Sequence, residues 1–98
     1  MQEIILKTIS GQHEGQEIKI NYRDQIEAIL NVPMDMRSAD LNEVRRSIRV
    51  LDALSEGNAI LKLEDADYEY LKQRVLAARW PFINKAILQF VDDVTMEA

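Results

Sequence analysis

The sequence predicts a small α+β domain: a small antiparallel sheet built on an N-terminal β-hairpin, with a candidate third strand, packed with three to four α-helices. Three observations lead there. Residues 17–22 alternate polar and apolar side chains with period two, as a half-buried strand does. Two later segments space their apolar residues three, four and three apart, as an amphipathic helix does. The chain has 98 residues, 47% hydrophobic and 30% charged, which suits one domain, 1–98, with one modest core.

Residues 3–9 read as the first strand. Ile4, Ile5 and Leu6 are consecutive, so cover on both faces is expected there. The second strand spans 17–22, with Ile18, Ile20 and Tyr22 on one face. Gly11 and Gly15 bracket polar residues between the strands, which suits a hairpin loop longer than two residues. His13, the sole histidine, is expected in that loop as an exposed turn residue, without metal-ligating neighbours.

Asn21 or Asp24 opens a helix that runs to about Asn31, with Ile26, Ile29 and Leu30 as its stripe. Pro33 ends it, because a residue before proline is pushed out of the helical region. Residues 32–39 read as a loop. Met34 and Met36 in it offer a soft contact surface, since methionine adapts to many partners, or they tuck into the core edge.

Asp40 and Glu43 have the spacing of a capping box, in which Glu43 reaches back to the cap. The helix they open extends to Glu56, where Gly57 stops it. Leu41, Val44, Ile48 and Leu51 form a narrow apolar seam, widened by Val50 and Leu54. A seam at this spacing faces either the domain's own strands or another subunit. Arg45, Arg46 and Arg49 lie off it. They suit contact with a phosphate or an acidic partner. The competing expectation is a solvated face with intrahelical pairs Glu43–Arg46 and Arg49–Asp52, at about 0.2–0.5 kcal/mol each.

Residues 59–63 are the candidate third strand, with Ala59, Leu61 and Leu63 on one face. A third helix starts at Glu64 or Asp65, where acids favour its positive end. Its seam is Tyr68, Leu71, Val75 and Ala78, joined by Leu76, and Lys72, Arg74 and Arg79 complement its negative end. Trp80-Pro81 breaks the chain. Trp80 is expected as an anchor at the core edge or as an exposed hot spot. Asn84 caps the last helix, with Ile87, Phe90, Val91 and Val94 inward and Leu88 outward. Asp92 and Asp93 oppose its dipole, which marks fraying or a basic partner, and residues 94–98 read as a frayed tail.

The chemistry that is absent narrows the function. There is no cysteine, so no disulfide or thiolate metal site forms. No Gly-rich phosphate loop and no nucleophile–base pair occurs. The acidic run 64–69 lacks the glycine and later glutamate of a calcium loop. The expectation is therefore no catalytic residues, no cofactor and no metal. The formal charge of −5, from 17 acids against 12 bases, repels phosphate backbones and anionic membranes, so no nucleic acid and no membrane are expected. No apolar run approaches the roughly 18–20 residues of a membrane span, and no signal peptide is expected. The partner-binding candidates are Arg45, Arg46, Arg49, Met34, Met36 and Trp80.

Across Arg45-Arg46-Ser47-Ile48-Arg49-Val50-Leu51-Asp52 and the later LKLEDADYEYLKQRV and ILQFVDDV, the second half of the chain resembles small uncharacterised proteins of tailed bacteriophages and prophages. Their reading frames lie in virion-morphogenesis regions. The resemblance implies a non-enzymatic assembly or accessory role through protein–protein contacts, by self-association or with a protein partner, in the cytoplasm of a bacterial host. It carries over no functional residues. The alternative is a small acidic regulator that binds and inhibits a host or phage protein.

Overall fold

A computed structural model describes residues 1–35 and 37–96. Its elements follow in the order β1 (Gln2–Ile5), β2 (Thr8–His13), β3 (Gln16–Asn21), α1 (Tyr22–Leu30), α2 (Leu41–Leu54), β4 (Ile60–Leu63), α3 (Asp65–Ala77) and α4 (Lys85–Thr95). The fold is α+β, with four helices and two antiparallel two-stranded sheets.

The first extended segment changes partner halfway, so the strand predicted over 3–9 is two strands. β1 pairs with β4, setting Ile4 opposite Leu61 and Ile5 opposite Ile60. The Leu6 N–H still donates to the Ala59 carbonyl at 2.8 Å, but the next carbonyl, of Lys7, accepts from Tyr22 N–H at 2.9 Å. From there β2 pairs with β3. The third strand therefore forms, in a sheet of its own with β1. Leu61 and Leu63 face inward, as predicted. Cover on both faces of the Ile4–Ile5–Leu6 run does not occur: Ile4 is 3% exposed and Ile5 66%.

The hairpin loop is two residues, shorter than predicted, because His13 pairs with Gln16. Glu14 and Gly15 both have positive φ, 51° and 80°, which a twisted two-residue hairpin turn requires. Gly11 belongs to strand β2 instead of a loop. A Cβ there would lie 2.6 Å from Asn84 Oδ1, so the glycine lets the start of α4 approach the hairpin.

Three helices begin on side-chain caps. Asn21 accepts from Asp24 N–H at 3.1 Å, Asp40 from Glu43 N–H at 2.8 Å, and Asn84 from Ala86 N–H at 2.9 Å. The Asp40–Glu43 capping box is only half made, since the Glu43 carboxylate accepts from Met34 N–H at 3.0 Å. Helix α2 ends at Leu54, short of the predicted Glu56, and Gly57 follows at φ +78°.

Two helix ends borrow a cation from another helix. Neither α1 nor α2 has a basic residue in its last turn. Arg23 of α1 donates from Nη1 to the Leu54 carbonyl and from Nη2 to the Asn58 carbonyl at 2.7 Å, closing α2. Arg74 of α3 donates from Nη2 to the carbonyls of Ile29, at 2.9 Å, and Val32, closing α1. Orphan carbonyls at a helix end carry partial negative charge, which a guanidinium satisfies twice over.

The core is one cluster with buried side chains from every element except β2, whose half-buried Ile9 packs against it. Tyr22 and Phe90 meet edge to face with centroids 4.9 Å apart, and Trp80 packs on Phe90 at 5.8 Å. Leu76 is exposed, off the inward face of α3 that holds Tyr68, Leu71 and Val75, and α3 closes at Ala77, before Ala78. Leu88 points outward, as predicted. The frayed tail predicted from residue 94 does not hold for Val94 and Thr95, which are buried in α4: the Val94 carbonyl accepts from Tyr68 Oη at 3.0 Å. Residues 97 and 98 lie outside the described residues. Asp93 stays exposed but is tied down, accepting from Tyr22 Oη at 2.6 Å with Lys7 Nζ at 3.3 Å, which offsets its poor placement late in α4.

Candidate interaction site

Helix α2 carries two stripes at helical spacing, and only one is buried. Ser47, Val50 and Leu54 point into the molecule. The predicted seam points outward: Leu41 is 63% exposed, Val44 39% and Ile48 48%, with Leu51 half-buried at the edge of the core. Val50 and Leu54 therefore do not widen the seam; they belong to the other face. Polar contacts select the inward face. Ser47 Oγ lies 2.7 Å from Tyr70 Oη, and Arg74 Nη1 donates to both, at 3.1 Å and 2.7 Å. Turning α2 to bury its more apolar seam would strand these buried groups, at about 1–3 kcal/mol for each one left unpaired.

The arginines of α2 separate into different environments. Arg49 reaches Asp67 of α3 at 3.6 Å, and the Arg46 guanidinium sits 5.9 Å from the Tyr70 ring centroid. Neither predicted intrahelical pair forms: Glu43 is taken by Met34 N–H, with Arg74 at 4.0 Å, and Arg49 by Asp67. Among the described residues, no ion pair holds Arg45 or Asp52. Both are exposed on the outer side of the seam, seven residues and two turns apart.

The most connected polar group of the fold is Arg74, expected from the sequence only to complement the negative end of α3. It is 4% exposed. Its four hydrogen bonds reach Ser47, Tyr70, Ile29 and Val32, tying α2, α1 and the loop after α1 to α3. A sequence signal existed: Arg74 follows Tyr70 by four and Leu71 by three, so it shares their helix face. Its partners are mostly neutral oxygens from other elements, and no local pattern marks those.

The remaining candidates sit apart from the seam. Met34 is exposed and lines a cavity of about 270 Å³ with Ala28, Val32, Pro33 and Arg79. Met36 lies outside the described residues. Between them Asp35 accepts from Ser38 N–H at 2.8 Å and Arg37 N–H at 2.9 Å, and these bonds, that of Ser38 first, hold its carboxyl below the usual range. Trp80 is half-buried at the core edge and lines an open groove of about 860 Å³ with Phe82, Ile83 and Leu88. His13 is half-buried at the end of β2, not an exposed turn residue, with its ring 5.0 Å from that of Phe82. The geometry thus links Met34 to α2 through Glu43, and places Trp80 with α4 and the hairpin.

Among the described residues, no group of three or more His, Cys, Asp or Glu side chains is placed to hold a metal ion. No helix among them is long and apolar enough to cross a membrane. Comparison with models of protein families, with curated proteins and with solved structures finds no match to the chain.

Proposed function

We propose that this protein is a non-enzymatic interaction module that docks through the outer face of α2, in assembly or accessory work during phage or prophage tail or head–tail morphogenesis. The observation that carries the docking surface is the outward turn of Leu41, Val44 and Ile48, an exposed stripe at partner-helix spacing. The assembly setting rests on the resemblance of the second half of the chain to small proteins of tailed phages. Its site of action in that setting is the cytoplasm of the bacterial host, with carriage in the virion as a further step.

The test is co-expression with the portal, tail-tube and head–tail proteins of a tailed phage. Wild-type protein is expected to co-purify with one of them, and Ile48→Asp to lose it while keeping its helical circular dichroism. Retention of the partner by Ile48→Asp removes the docking surface from the proposal. The second reading, an acidic inhibitor of a host or phage protein, draws on the net charge of −5. It predicts instead a partner whose binding weakens steeply with salt and is indifferent to Ile48.

A further inference from the structure

We infer that the partner fitting the outer face of α2 is a second copy of the same face, packed antiparallel about Ile48. This rests on the reading of α2 as the docking helix and names what docks there. Val44 and Leu51 lie about one turn to either side of Ile48, and so do Arg45 and Asp52. A two-fold axis at Ile48 therefore brings Ile48 onto Ile48 once, at the axis, and Val44 onto Leu51 and Arg45 toward Asp52 of the second copy twice each. A parallel alignment brings the two Arg45 to one level and the two Asp52 to another.

The charges agree with this choice. Arg45 and Asp52 are exposed and, among the described residues, held by no ion pair. The nearest alternative partner for Asp52, Arg49, is already turned to Asp67. A molecule of net charge −5 resists self-association, and on this face Arg45 supplies the positive charge that Asp52 of a second copy can meet. Contact through a single helix face is at the small end of specific interfaces, so the association is weak.

The experiment is sedimentation equilibrium on the full chain from about 5 µM to about 1 mM, with circular dichroism confirming the fold of each variant. Wild type is expected to pass from monomer to dimer. Arg45→Asp and Asp52→Arg each turn two attractions into two repulsions and should weaken the dimer about tenfold or more. The double variant Arg45→Asp/Asp52→Arg restores both pairs and should return to within about threefold of wild type. A monomeric wild type across the range, single variants without effect, or a double variant no better than the singles each overturns the antiparallel pairing. The docking reading fails separately: a monomeric protein that binds a virion component through Ile48 keeps the docking face and loses only the second copy as its occupant.

Discussion

Replacing Arg74 with alanine removes a buried side chain whose hydrogen bonds join three helices. The change strands the carbonyls of Ile29 and Val32, which close α1, and withdraws the donor from Ser47 and Tyr70. The two hydroxyls still bond each other at 2.7 Å, so they lose least. Each carbonyl left unsatisfied costs about 1–3 kcal/mol, reduced where water enters from the exposed loop. Glu43, 4.0 Å from the guanidinium, keeps its bond to Met34 N–H but loses its nearest cation. Together with the lost packing of the arginine stem, the sum is about 3–5 kcal/mol, the usual cost of removing one partner from a buried charged network. In a chain of this length that lowers the melting temperature by more than about 12 °C and the urea midpoint by more than about 1 M. Urea unfolding followed by circular dichroism and by Trp80 fluorescence measures it. Arg74→Lys should lose about 2 kcal/mol, because an ammonium cannot span the carbonyls and the hydroxyl pair together. Exposed Arg79→Ala should stay within about 0.5 kcal/mol of wild type. An Arg74→Ala protein within about 1 kcal/mol of wild type would refute the view that this network sets the position of α2.

The remaining predictions concern pH and close packing. Hydrogen bonding from Tyr22, helped by Lys7, holds the Asp93 carboxyl below its usual range, whereas an unfolded aspartate titrates near about 3.9. Between those two values the unfolded chain binds more protons, so stability is full above about pH 4 and is lost as pH falls through the folded value. Acid unfolding of Asp93→Asn should show a flatter limb in that range. Burial first, then Asp93, pushes the Tyr22 hydroxyl up, so the unfolded tyrosine ionises first and stability declines above about pH 10. Tyr22→Phe, followed by denaturant midpoints from pH 9 to 11, should lose that decline. Gly11→Ala drives a methyl against Asn84 and should cost about 1–3 kcal/mol in urea titrations, with Asn84→Ala recovering part of it in the double variant.

Local signals in the sequence carried far. The caps at Asn21, Asp40 and Asn84, the stops near Pro33 and Gly57, and the inward and outward sides of α4 and β4 all follow from residues within about four positions of one another. The Met34 loop and the place of Trp80 at the core edge were legible in the same way. The Arg49–Asp52 pair was local too, yet Asp67 of α3 outcompetes it.

What the sequence by itself determined is the four helices, the strands near 17–22 and 59–63, the α+β class and the existence of an apolar seam on α2. Tertiary structure alone decided where the seam points. Two stripes of α2 obey the same helical period, and the period cannot choose between them. The choice falls to Ser47, because Tyr70 and Arg74 arrive opposite it from another helix and must be paired once water is gone. The switch of strand partner at Leu6 and Lys7 has the same origin, since backbone groups of β1 and β2 carry no label for which distant strand will meet them.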